Sequence, residues 1–381
     1  LPTQLTYFFW PEFSFVYGIR VDYLAPTIYF IDILWGLVLL VWVFRENGLK
    51  GLSKYKTYLA ILLALALVNS LFSQIPFLSA YKWVRAFELF SIFVFIKSSR
   101  GVANLIKTPI AFGIIFSMFL SIAQIVNGGS LGGLFYWIGE RSFVSSTLGI
   151  SLMNIFGKVF IRPYAAFAHP NALAGYALLS LLFLKNFKDS ISKIGVAASL
   201  AVVIISFSQN AWTALILTPI LVYIIKRTKS GLSKFIVSAA ISSFFLTLMS
   251  TSADLPREVL QRVELNVAAG KILSANPLLG VGLGAFIPTL PGAIHQSIWW
   301  LQPVHNMFLL VAAETGLVGL LLFVYVLYKN ANATNLPVTI AIVLLGMWDH
   351  YMITIWPVLV FAVILLALGD VGSSDRIRAN D

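Results

Sequence analysis

The sequence predicts an all-α, polytopic membrane bundle, and three observations predict it. Hydrophobic residues make up 59% of the 381 positions against 11% charged, more apolar surface than a soluble globule can hide. The mean hydropathy is +0.90. Apolar runs of about 15–20 residues recur along the chain, divided by short loops rich in Lys and Arg. The alternating pattern of a membrane barrel is absent, which leaves helices as the elements able to satisfy their own backbone in lipid. About 11–12 spans are expected on that spacing.

In chain order, the run 5–17 is too short and too punctuated to span. The chain starts at Leu1, and the shortness of this first run leads us to expect a further span before it. Residues 26–44 form the first convincing span, followed by a basic loop with Arg45, Lys50, Lys54 and Lys56. Spans at 58–72, 81–96 and 109–126 follow, then a long Gly-rich stretch, 127–168, expected to be interfacial or partly re-entrant. A second set covers 171–184, 194–207, 210–225 and 235–249. The long non-spanning region 250–304 holds an amphipathic segment at 256–275 and the paired Trp299 and Trp300, side chains suited to the headgroup level. Spans at 305–328, 336–348 and 352–368 complete a single membrane domain over 1–368, and 369–381 is a polar tail.

Charge fixes the expected orientation. The formal charge of +11 invites a nucleic-acid reading, but the cations lie in short loops between apolar runs, as the positive-inside rule requires. Placing the Arg45–Lys56 loop in the cytoplasm also puts Lys97–Lys107, Lys185–Lys193, Lys226–Lys234 and the tail there. The opposite, extracytoplasmic side then receives 127–168, 208–210, 250–304 and 349–351. Every unusual polar cluster falls on that side.

The chain has no cysteine, which excludes thiol nucleophiles and thiolate metal sites. Its four histidines would need carboxylate help to bind a metal, and carboxylates are few and scattered, so neither metal nor cofactor is expected.

The first polar cluster is Arg162, then His169-Pro170-Asn171. Proline just inside a helix start is favoured, and such starts attract anions. Arg162 is either an interfacial cation beside a helix cap or a fork for phosphate oxygens. Ser206 to Trp212 is a polar break between apolar helices, by itself an ordinary turn. Arg257 and Glu258 suit the exposed face of a surface helix, whereas Arg262 lies closer to Asn276-Pro277 and the turn Gly280-Val281-Gly282-Leu283-Gly284. That turn lacks a preceding strand and dinucleotide spacing, and is read as a tight return into the membrane. His305-Asn306 sits where a membrane helix begins, an expensive placement that is either a cap or a functional imidazole, the side chain best suited to accept a proton near neutrality. Glu314, nine residues on, faces away from His305 and is read as a buried packing residue. Asp349-His350 either orients His305, binds substrate or anchors a helix end. Arg85 and Glu88 read as a local ion pair.

In this order the clusters resemble the O-antigen ligase and O-antigen polymerase superfamily of bacterial envelope enzymes. The likeness is carried by Arg162, His169-Pro170-Asn171 and Gly175-Tyr176, by Arg262, Asn276-Pro277-Leu278 and Gly280-Val281-Gly282, and by Pro303-Val304-His305-Asn306, Glu314-Thr315-Gly316 and Gly319. It implies a metal-independent, GT-C-type glycosyltransferase of the bacterial cytoplasmic membrane, its site facing outward. The donor would be a polyprenyl-diphosphate-linked glycan and the acceptor a glycan, lipid or protein hydroxyl. Arg162 and Arg262 would hold the diphosphate and His305 would serve the acceptor hydroxyl. His169, Asn171, Gln209, Asn210, Asn306 and His350 complete the candidate substrate-binding set. Where the family often has Ser-Arg, this chain has Ser208-Gln209-Asn210, which removes one expected cation. The rival class is a transporter, which should show inverted repeats and broken helices with polar groups at mid-membrane. A noncatalytic scaffold fits the cost of the buried Arg and His least well.

Overall fold

The computed structural model describes residues 3–45, 48–99, 101–227, 257–294, 301–332 and 334–368. The expected span at 235–249, Trp299, Trp300 and the tail 369–381 lie outside the described residues, as do the side chains of Arg257 and Glu258.

The described chain is mostly helical, with three two-stranded antiparallel pieces that the all-α expectation lacked. β1 (Thr6–Phe8) pairs with β4 (Thr27–Tyr29), and between them β2 (Phe15–Val16) pairs with β3 (Ile19–Arg20). The β2–β3 turn is Tyr17-Gly18, both with positive φ, the twist a two-residue hairpin needs. The first span therefore starts later than position 26. Thr27–Tyr29 is taken by the sheet, and Asp32 accepts the Tyr29 N–H at 2.7 Å where α1 (Phe30–Arg45) begins.

After α2 (Gly48–Ser53) come α3 (Lys56–Leu71), α4 (Pro76–Ser98) and α5 (Val102–Asn127). Pro109, expected to open a span, lies inside α5. The stretch 127–168 holds α6 (Leu134–Trp137) and a hairpin of β5 (Leu152–Ile155) with β6 (Lys158–Ile161). Gln124 ties that stretch down, accepting from the Tyr164 and Ala165 backbone N–H and donating to Glu140.

Next are α7 (Pro170–Leu184), α8 (Ser190–Ile205), α9 (Gln209–Arg227), α10 (Arg257–Ala275) and α11 (Phe286–Ala293). The chain ends in α12 (Met307–Asn330), α13 (Leu336–Trp348), α14 (Tyr351–Thr354) and α15 (Trp356–Ala367). Pro357 near the start of α15 divides the expected last span in two. Among the described residues, α5 and α12 are each long and apolar enough to cross a membrane, and six further helices are apolar but shorter.

The main core forms around α7, which is buried on every face because no stripe of it is polar. It packs against α5, α8, α9, α13 and α15. On the flank, Arg85 pairs with Glu88 at 2.7 Å, as expected, and also with Asp32 at 2.7 Å. The guanidinium lies 3.6 Å from the Trp356 ring centroid and the indole donates to Asp32, so one cation joins α1, α4 and α15.

α12 is broken at Gly316 (φ 67°), about 14 Å from its start. The glycine-rich return fills the break. Leu317 donates to Pro277 O, Val281 to Ala313 O and Gly282 to Glu314 O, so the polar backbone freed by the kink is paired by the chain itself. Gly280, Gly282 and Gly284 all have positive φ, and a Cβ on Gly316 would collide with the Leu278 carbonyl. Asn69 stitches the junction to α3, donating to Leu279 O and Glu314 O. Glu314 is buried there, its carboxylate accepting from Phe286 N.

Candidate active site

The end of the bundle where α7, α9 and α12 begin gathers most of the polar residues singled out above. Arg162 emerges straight from β6, and its backbone N–H bonds Ser151 O at 3.0 Å, which fixes where the side chain starts. Its guanidinium donates to Ser206 O through Nε at 2.8 Å and to Asn171 Oδ1 at 2.7 Å. Two donors of the fork are thus engaged in positioning the group, and three N–H remain. Burial lowers its pKa somewhat, opposed by Tyr164 and Asp349, and a guanidinium keeps its charge through such a shift.

His169 is the N-cap of α7: its Nδ1 accepts from Asn171 N at 3.1 Å. A ring that accepts through Nδ1 is neutral. Consistent with this, burial pushes its pKa down to about 4, opposed by Asp349 and reinforced by Arg162. The Asn171 amide spans the site, accepting from Arg162 and donating to Asp349 Oδ2 at 2.8 Å.

Asp349 is the hub. It is 4% exposed, and its Oδ1 accepts from His350 N at 2.8 Å and faces His305 Nδ1 at 3.3 Å. Burial raises its pKa, but the His305 hydrogen bond and the surrounding imidazoles outweigh it and hold the carboxyl well below the ordinary value. An ionised carboxylate only accepts, so it assigns the His305 proton to Nδ1 and leaves Nε2 as the basic nitrogen. The His350 ring lies 5.1 Å from that of His305, tilted by 46°, and Tyr23, from the turn between β3 and β4, caps it edge-on at 5.5 Å. The His350 Nδ1 is bonded to Thr354 Oγ1 at 2.8 Å, and burial lowers its pKa to about 3.

The remaining candidates sit differently. Asn306 caps α12, accepting from Phe308 N and Leu309 N and donating to Met347 O, so its amide is consumed by the fold. Asn210 donates to Leu345 O and anchors α9 to α13, with its buried Oδ1 unpartnered among the described residues. Gln209 is exposed at the first turn of α9. Arg262 is exposed on α10 without a hydrogen bond or ion pair among the described residues, yet its charge acts on Arg162, His169 and His350. The sequence leaves Asp349-His350 three roles, orienting His305, binding substrate or anchoring a helix end, and gives no sign of Tyr23 at the site. The single available signal was the adjacency of Asp349 and His350 at a helix end.

The expectation that carboxylates are too scattered for a metal meets one exception. His305, Asp349 and His350 present ligand atoms within 4.8 Å of one another. Both Asp349 oxygens already accept hydrogen bonds from the chain.

The buried neutral rings make stability pH-dependent. Below the ordinary imidazole pKa of 6.5 the unfolded chain takes up protons, while folded His169 and His350 stay neutral to about 4 and about 3. The unfolded state binds more protons in that window, so stability falls as pH falls. Asp349, depressed in the folded state, adds the same sign below 3.8. The unfolding temperature of the detergent-purified protein is expected to drop from pH 7 to pH 4.5, and His350→Asn to flatten the slope. A flat wild-type profile would contradict the buried neutral rings.

No curated protein matches the chain. Residues 194–324, about a third of the chain, match the family model described as O-antigen ligase. The matched segment contains the 206–208 turn, Arg262, the glycine-rich return, His305 and the α12 break, while Arg162, Asn171 and Asp349 lie outside it. Over this segment the chain is similar to the O-antigen ligase family.

Proposed function

We propose that this protein transfers a glycan from a polyprenyl-diphosphate carrier to an acceptor hydroxyl at the outer face of the bacterial cytoplasmic membrane. The family is one of membrane proteins in the glycan-transferring ligase and polymerase class. The observation that carries the finer reading is the chain Arg162–Asn171–Asp349–His305, drawn from four separate elements and joined at one end of the bundle.

In this reading the acceptor oxygen attacks the anomeric carbon and the bond from that carbon to the diphosphate breaks. His305 Nε2 takes the acceptor proton, and the diphosphate departs with the bonding electron pair. Arg162 and Arg262 stabilise the negative charge as it develops, which fixed cations do without reorganisation. Diphosphate is a good leaving group, so no acid is required. The reading is metal-free and gives the Asp349 oxygens to Asn171, His350 and His305. Two catalytic carboxylates of glycosidase type are not part of it.

The break in α12 is the one feature that favours a transporter. Against that, Ala313 O and Glu314 O, freed at the break, accept from Val281 and Gly282 of the glycine-rich return.

The test uses the purified chain in nanodiscs with a lipid-diphosphate-linked glycan and candidate acceptors. The expected result is consumption of the carrier-linked glycan, gain of sugar by one acceptor, and no change with EDTA. Vesicle uptake of a small solute without donor consumption would replace this reading with the transporter. Loss of activity with EDTA, restored by Zn²⁺, would make the His305, Asp349 and His350 trio a metal site.

A further inference from the structure

A groove of about 690 Å³ lies on the other side of α10 from Arg262. That volume is within the range of small-molecule sites. One stripe of α10 forms its wall, Glu264, Val267, Lys271 and Ala275, which recur at helical spacing. Thr289 and Gly292 of α11, and Gln74 from the turn between α3 and α4, close it. Glu264 follows Arg262 by two residues, about 200° around the helix, so the two side chains leave α10 on opposite sides.

The chemistry of the lining selects a ligand class. Glu264 Oε2 is buried and has no hydrogen-bond partner among the described residues, a costly state for a carboxylate oxygen unless a ligand supplies a donor. Lys271 uses one N–H on Ala293 O at 3.3 Å, which leaves two. The Thr289 hydroxyl donates to Ala285 O at 2.7 Å and contacts the Gln74 side-chain amide at 2.9 Å. One anion and one cation cancel, which disfavours a diphosphate. The polar groups disfavour an acyl chain. Alternating donors and acceptors on an apolar wall suit the hydroxyls of an uncharged sugar chain.

We infer that this groove is a glycan-binding subsite, which holds sugar units while the reacting end lies across α10 near His305. The inference rests on the glycan-transfer reading and adds a second point of attachment to it. Gly292 is the position for a steric test, since a Cβ there meets nothing within 4 Å and its φ is not positive. Gly292→Trp is expected to fill the groove without disturbing the backbone.

The probe is the oligosaccharide released by mild acid from the lipid-linked donor that the chain consumes, titrated by calorimetry into the full chain in nanodiscs. Wild type and His305→Ala are expected to bind it equally. Glu264→Ala is expected to weaken binding about tenfold or more, the loss of one or two hydrogen bonds to a charged group, and Gly292→Trp to weaken it at least as much by filling the groove. In transfer assays the same two variants should raise KM for the donor and leave kcat within about twofold. Wild-type affinity in both variants, or no binding to wild type, would overturn the groove. If His305→Ala transfers normally while the groove variants still lose binding, the groove stands and the catalytic reading falls.

Discussion

His305→Ala is expected to lower glycan transfer by about 10²–10⁴-fold, the range for removing a positioned general base. The loss should fall on kcat, with donor KM changed little, because the imidazole serves the acceptor proton and not the diphosphate. His305 is partly exposed, and its removal leaves Asp349 two donors, Asn171 Nδ2 and His350 N, so the carboxylate is not stranded. Asn306 still caps α12. The variant should therefore insert and melt like wild type, and a nanodisc assay following carrier-linked glycan measures the chemistry alone. Near wild-type transfer would remove His305 from the reaction.

Asp349→Asn is expected to cost about 10²-fold or more in kcat with small change in KM, the pattern of a residue that sets the tautomer of a catalytic imidazole. Three donors converge on the carboxylate: Asn171 Nδ2, His350 N and His305 Nδ1. An amide offers one oxygen, so its NH₂ would face either Asn171 on the Oδ2 side or His350 N and His305 Nδ1 together on the Oδ1 side. If His305 is among them, its Nδ1 must accept and Nε2 must carry the proton, which disables it as a base. If Asn171 is that group, the link to Arg162 loosens and donor KM rises. Donor KM together with kcat distinguishes the two outcomes. Unchanged kinetics would make Asp349 a packing residue alone.

Much of this arrangement could be read from the sequence because lipid restricts what a chain can do. Composition required a helical membrane protein, since unpaired backbone is intolerable in hydrocarbon. Pro170, Asn306 and the three glycines of the return announced their local geometry, because caps and positive φ depend on the residues at those positions. His305 stands out through the cost of placing it at a membrane helix end, and His169 through the Pro170 helix start beside it.

Other features depended on elements distant in the chain. That Asp349 bridges Asn171 and His305 across separations of 178 and 44 residues has no local signature. Nor does the use of Asn306 and Asn210 as fasteners to α13, which leaves less of each amide for a substrate. The two strand pairs within 5–29 and the hairpin in 127–168 escape a sequence reading because their runs are too short for periodicity to register.

By itself the sequence determined an apolar, mostly helical chain and the polar residues set at its helix ends, because each follows from local chemistry and the cost of burial in lipid. Only the tertiary structure decided which of those residues share one carboxylate, which are consumed in holding helices together, and that the gap in α12 is closed by the chain's own return. Those outcomes depend on hydrogen-bond directions between elements far apart in sequence, and no local pattern encodes such directions.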